Sequence, residues 1–81
     1  MVPAAVTPNP VRSAAVISFD GRPDVRYAID VVDESGRPAL RLEATGERIE
    51  LRRDQLAAGT YLFTVRDPDG GTVARGRFVV D

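Results

Sequence analysis

The sequence predicts an all-β fold, an immunoglobulin-like antiparallel β-sandwich of about seven short strands. Two observations carry this prediction. Apolar and polar residues alternate with a period of two along most of the chain, as in strands with one buried face. Clusters rich in Gly, Pro, Asp and Asn separate these runs at short intervals, and no long segment has helical periodicity. A small barrel of seven strands is the alternative fold that the same pattern allows.

The first half of the chain contains three predicted strands. In residues 2–6, Pro3 lacks the amide donor that a central strand needs, which favours an edge position. Two prolines in residues 7–10 then predict a rigid bend. A short strand follows at residues 15–19. Residues 25–33 show the clearest alternation, and a helix would scatter their apolar side chains over its whole surface.

The second half continues with short strands and turns. Two further strands are predicted from alternation. Leu40 and Leu42 alternate with Arg41 and Glu43, and Ile49 and Leu51 alternate with Arg48, Glu50 and Arg52. Residues 53–58 are long enough for one helical turn only. The Asp-Pro-Asp-Gly-Gly sequence of residues 67–71 is a hairpin signal, and the last strand follows it at residues 72–80.

Residues 60–66 form the central strand around which the other predicted strands are arranged. Leu56 and Gly59 precede this strand, in the corner that leads into it. In β-sandwiches, a tyrosine at the position of Tyr61 can donate its hydroxyl to upstream backbone and fix the corner. The alternative is that Tyr61 is an ordinary core aromatic beside a turn. The residue pattern leaves both interpretations open.

The alternation also predicts which side chains form the core between the two sheets. The predicted core consists of Ile17, Tyr27, Ile29, Leu40, Ile49, Leu51, Tyr61, Phe63, Val65 and Phe78. All five aromatic side chains, which also include Phe19, lie on these inward faces, and tryptophan is absent. The sequence therefore gives no support for the exposed aromatic row with which carbohydrate-binding modules stack on sugars.

Composition argues against an enzyme and against a cofactor. The 81 residues contain no Cys and no His, which removes the soft metal ligands and the commonest general base. The carboxylates fall on polar faces or in turns, where they keep strands soluble. A net charge of −1 gives no indication of nucleic-acid binding, and no apolar run approaches the ~20 residues of a membrane helix. We expect a monomer without catalytic activity, bound metal or small-molecule substrate.

The order of several short motifs resembles that of a known family. The motifs are Pro8-Asn9-Pro10, Ile17-Ser18-Phe19, the strand to Val32, Asp33-Glu34-Ser35-Gly36-Arg37, Ile49-Glu50-Leu51, Leu56-Ala57-Ala58-Gly59-Thr60-Tyr61-Leu62-Phe63 and Gly76-Arg77-Phe78-Val79-Val80. Together they resemble the type A C-terminal sorting domain of proteins exported by the type IX (Por) secretion system of Bacteroidota. Two positions depart from the family pattern: Arg75 and Arg77 stand where lysine is common, and Ala58 where proline is common.

The resemblance implies an immunoglobulin-like sandwich, residues 1–81, that ends a larger secreted protein. It implies passage through the periplasm, recognition by the outer-membrane secretion machinery, and delivery to the cell surface or the medium. In some members a sorting peptidase then removes the domain. From the alternation of the last strand, we expect Arg75, Arg77 and Val79 to project outward and contact that machinery. A structural immunoglobulin-like or fibronectin-like spacer is the alternative function.

Overall fold

Strands form in this chain wherever apolar and polar residues alternate. The computed structural model describes residues 4–81. The strands are β1 (Ala5–Thr7), β2 (Ala14–Ser18), β3 (Arg26–Asp33), β4 (Pro38–Thr45), β5 (Arg48–Arg52), β6 (Gly59–Arg66) and β7 (Thr72–Val80). A single 3₁₀ turn, Arg53–Gln55, is the helical element in this part of the chain, and no helix there is long or apolar enough to cross a membrane. The prediction of an all-β fold is confirmed, although residues 2 and 3 of the predicted first strand lie outside the described range.

The strands form two antiparallel sheets, which pack as a sandwich. One sheet has the order β1-β2-β5, and the other has the order β4-β3-β6-β7. β4 pairs with β3 along most of its length, so the fourth strand joins the larger sheet. At one side of the sandwich β5 approaches β4, and at the other side β1 approaches β7. The last strand of the chain is therefore an edge strand of the four-stranded sheet.

The core lies between the sheets and contains most of the side chains predicted for it. Ile17, Tyr27, Ile29, Leu51, Tyr61, Phe63, Val65 and Phe78 are all buried. Leu40 and Ile49 are only partly buried, contrary to the prediction, although both pack against the core. They lie on β4 and β5, the two strands at one open side of the sandwich. Alternation identifies an inward face but does not show whether the strand lies at an edge.

Two valines lie where alternation alone did not place them. Val11 has no predicted strand around it, yet it is fully buried and forms a parallel bridge with Val80 of the last strand. Alternation puts Val73 on the same face as Arg75, Arg77 and Val79, which were predicted to project outward, but Val73 is partly buried and packs against the core. A register shift between β6 and β7 makes Arg66 pair with Thr72, while Val65 pairs with Ala74. Val73 is the extra residue of this bulge, which turns its side chain toward the core.

The β3–β4 and β6–β7 loops share one hydrogen-bond pattern. In the β3–β4 loop, the Asp33 carboxylate accepts hydrogen bonds from the amides of Ser35 and Arg37 at 2.9 and 3.0 Å. In the second, the Asp67 carboxylate accepts the amides of Asp69 and Gly71 at 3.0 and 2.8 Å. A glycine with φ near 90° follows three positions after each aspartate. An aspartate that caps its own turn and a glycine in the left-handed region explain both hairpins.

The Asp33 carboxylate also accepts the Ser35 hydroxyl at 2.6 Å. The hydrogen bond from this hydroxyl is the main reason that the pKa of Asp33 lies below its ordinary value, and the hydrogen bond from the Arg37 amide is the next. These hydrogen bonds favour the ionised form of the Asp33 carboxylate. Their stabilisation of the loop is therefore complete when the pH is above the ordinary aspartate pKa, and it is lost as the pH falls through the lowered pKa of Asp33. The pattern explains why an aspartate begins this loop.

Candidate recognition surface on the terminal strand

β7 separates its side chains cleanly between the core and the outside. Ala74, Phe78 and Val80 are buried, and the burial of Phe78 was predicted. Arg75, Arg77 and Val79 lie on the outer face of the four-stranded sheet and are exposed, also as predicted. The structure thus places all three predicted recognition residues on one face of one edge strand. Their contact with a partner stays a prediction.

Arg75 and Arg77 differ from most arginines of this chain. Six of the eleven form salt bridges to a carboxylate: Arg12, Arg26, Arg37, Arg41, Arg52 and Arg66. On the same sheet, for example, Asp30 bridges Arg41 and Arg66 at 3.1 and 3.2 Å. Neither Arg75 nor Arg77 forms a salt bridge or a side-chain hydrogen bond with any residue between 4 and 81. Their guanidinium groups therefore keep all their donors available for carboxylates outside this part of the chain.

Apolar side chains adjoin these two arginines on the outer face. Leu62 of β6 pairs directly with Arg77 and is 47% exposed, and Val79 is 38% exposed. They are the large hydrophobic side chains with the highest exposure among the described residues. We call Leu62, Arg75, Arg77 and Val79 the terminal face. It combines unpaired cations with apolar area, a composition suited to a protein partner.

Leu62 was not among the predicted recognition residues. The period of two places it on the same face of its strand as Thr60 and Thr64, and that face was given no role. An exposed leucine on an otherwise polar strand face was the available signal. Its significance depends on the pairing with Arg77, and that pairing joins two strands across a hairpin.

The corner before β6 has the geometry that the sequence suggested. The Tyr61 hydroxyl donates to the Ala57 carbonyl at 2.6 Å, so the tyrosine fixes the corner. Leu56 is buried there, with 6% of its surface exposed. Gly59 has a φ of 155°, a value that side-chain-bearing residues rarely adopt. This arrangement favours the tyrosine-corner interpretation over an ordinary core aromatic.

Replacing Tyr61 with Phe tests the corner directly. The change keeps the ring, which stacks on Phe78 with centroids 5.6 Å apart, and removes the hydroxyl bond to Ala57. We expect a loss of about 1 kcal/mol in unfolding free energy, the usual contribution of one hydrogen bond. Urea denaturation of both proteins measures it. Equal midpoints and slopes would show that the hydroxyl contributes nothing to stability.

The end of β7 is held by residues close to the start of the chain. The Val79 amide donates to the Asn9 side-chain oxygen at 3.0 Å, and the Val11 amide donates to the Val79 carbonyl at 2.7 Å. The Asp81 carboxylate forms a salt bridge with Arg12 at 3.1 Å. Arg53 donates to the Asp81 main-chain oxygen at 2.9 Å. The terminal face is therefore part of an ordered surface and not a loose tail.

Comparisons with known proteins agree with this architecture. No curated protein matches the chain. A solved structure of PorZ, an essential bacterial surface component of the type-IX secretion system of Porphyromonas gingivalis, is similar with a TM-score of 0.68. The similarity covers 96% of this chain and 11% of the PorZ chain at 23% identity, and it shows a shared fold. The family described as the secretion system C-terminal sorting domain matches residues 5–81. This chain therefore belongs to the family of secretion system C-terminal sorting domains.

Proposed function

We propose that the type IX secretion machinery recognises this sorting domain at the terminal face, with Arg75 and Arg77 as its main polar contacts. Family membership makes the domain a type IX sorting signal, which directs a protein to the cell surface or the extracellular space. The observation that supports the proposed contact is the exposed pair of arginines without salt bridges to the described residues, set beside exposed Leu62 and Val79.

The proposal includes several finer points. The domain acts as a monomer, passes through the periplasm, and contacts an outer-membrane component. A sorting peptidase is a second partner on this proposal. Arginine is suited to the first contact, because its planar guanidinium can bind a carboxylate through two parallel hydrogen bonds.

Charge reversal at Arg75 and Arg77, each to Glu, tests the recognition role. We expect a normal thermal midpoint, since exposed substitutions usually change stability by less than about 0.5 kcal/mol each. We expect export of a reporter fused to the domain to fall at least about tenfold in a host with the secretion system, as repulsion replaces attraction. Reporter in the medium and on the cell surface is measured against total reporter.

A matched variant separates recognition from net charge. Arg22 and Arg48 are exposed, are not part of the terminal face, and form no salt bridge with the described residues. Reversing both to Glu changes the net charge by the same amount, and export should remain normal. Normal export of the Arg75 and Arg77 variant, with its fold intact, would disprove the proposed contact. Equal loss in both variants would assign the effect to overall charge.

We also propose that the domain has no catalytic activity and needs no bound metal. Among residues 4–81, no group of three or more His, Cys, Asp or Glu side chains is arranged to hold an ion. We expect the same melting temperature with and without a chelator, because only an ion bound to the native state would stabilise it. A lower midpoint with chelator would show that a metal is present and structural.

A further inference from the structure

The open edge of β7 beside Arg75 and Arg77 is a second feature of the terminal strand. In an antiparallel strand, the amide and carbonyl of one residue point to the same side, and the side alternates along the chain. Both groups of Val79 point away from β6, because their partners are Asn9 and Val11. Arg75 and Arg77 lie at even spacing from Val79, so their backbone groups point to the same outer edge.

Within residues 4–81, hydrogen bonds reach this edge at one end only, although β1 also approaches β7. Asn9 and Val11 occupy it at Val79, where they take the place of a neighbouring strand. Among residues 4–81, no group hydrogen-bonds to the backbone of Arg75 or Arg77, and β7 pairs with β6 alone over this stretch. A strand edge with unpaired amides and carbonyls is a template on which another strand can pair.

The opposite edge of the same sheet serves as an internal comparison. There β4 carries Arg41 and Glu43 on its outer face, and each is paired with a charge on β3. The β4 edge begins with Pro38, and it presents no excess of positive or negative charge. At the β7 edge, both charges are positive and neither is paired within the described residues. An added strand with carboxylates opposite Arg75 and Arg77 would neutralise them.

We propose that the β7 edge at Arg75 and Arg77 binds an extended acidic strand of a partner protein, in antiparallel pairing. This inference rests on the proposed function and specifies how the contact is made. Antiparallel pairing is slightly more stable per residue than parallel pairing. A second copy of this domain does not fit, since antiparallel pairing of two β7 edges would place arginines opposite arginines.

Backbone pairing makes a specific demand on the partner strand. A residue directly opposite Arg75 or Arg77 shares its outer face and points its own amide and carbonyl at β7. In the peptide acetyl-Val-Glu-Val-Glu-Val-amide, the two glutamates take these positions, and the valine amides point away. Methylating the two glutamate amide nitrogens therefore removes the pairing donors, whereas methylating the amide nitrogens of the valines at peptide positions 3 and 5 leaves those donors intact.

The test titrates these three peptides into the isotope-labelled domain, followed by amide shifts and amide hydrogen exchange. We expect the unmethylated and valine-methylated peptides to bind alike, with the largest shifts and slowed exchange at Arg75 and Arg77. The glutamate-methylated peptide, and a peptide with lysine in place of glutamate, should bind at least about tenfold more weakly. The domain with both Arg75→Glu and Arg77→Glu should lose binding of the unmethylated peptide to the same extent.

Equal binding of the two methylated peptides would overturn the proposal, because it would show an attraction between side chains alone. The proposal would also be overturned if the valine-methylated peptide lost more affinity than the glutamate-methylated one, or if no acidic peptide bound. The export assay is a separate measurement. If the peptides fail these tests but the charge-reversed variant loses export, the arginines are the export signal and the partner does not add a strand to β7. Peptide binding with normal export would remove the export role instead.

Discussion

Replacing Phe63 with Ala should lower the unfolding free energy by about 3–5 kcal/mol, the usual cost of removing a large buried aromatic side chain. Phe63 is buried at the centre of β6, with its ring centroid 6.0 Å from that of Phe78. The change leaves a cavity between the sheets that neighbouring strands close only in part. A domain of this size has a total stability on the order of 5–10 kcal/mol, so the variant should be close to unfolding at room temperature.

Chemical denaturation followed by circular dichroism measures this loss. Leu62→Ala provides the control, because Leu62 lies next to Phe63 on the same strand but faces outward. The control should cost less than about 1 kcal/mol. A loss below 1 kcal/mol for Phe63→Ala would contradict a core centred on this ring.

Adding a methyl group at Gly76 should also destabilise the domain, by about 1–3 kcal/mol. A Cβ at this position would lie 2.5 Å from two carbon atoms of the Phe63 ring. The ring is buried against Phe78 and cannot move away freely, so either the ring or β7 must shift. The requirement for glycine is one of space here, since the φ angle of Gly76 is not positive.

A second substitution checks this explanation. In the Gly76→Ala protein, Phe63→Leu replaces the aromatic ring and so removes the clashing atoms. The double variant should therefore lose less unfolding free energy than the sum of the losses in the two single variants. Arg77→Ala, on the outer face of the same strand, is the control and should have little effect on stability. Additive losses in the double variant would mean that Gly76 is required for another reason.

The predictable part of this fold was the part encoded in neighbouring residues. Tyr27, Ile29 and Phe63 were assigned correctly to the core because a period of two is visible within a single strand. The partial exposure of Leu40 and Ile49 depends on which strands lie at the sheet edges. Strand order is set by pairing between distant segments, and a single strand's pattern does not contain it.

The candidate site shows the same division between local and long-range information. The outward direction of Arg75, Arg77 and Val79 follows from alternation and was predicted. The burial of Val11 was not, because it depends on a bridge to Val80 at the other end of the chain. Leu62 joined the terminal face only when the β6–β7 register was known. Local patterns gave the direction of most side chains, with Val73 in the β6–β7 bulge as an exception, and long-range pairing determined their neighbours.

The bond between Asn9 and Val79 has a consequence for when the domain folds. These residues are 70 positions apart, so the bond forms only after almost the whole domain has become available. Contacts between such distant positions carry a large loop-closure cost and slow folding. A chain that leaves the ribosome N-terminus first therefore cannot form this bond before residue 79 has emerged. The sandwich is therefore completed late in synthesis, after residue 79 has become available.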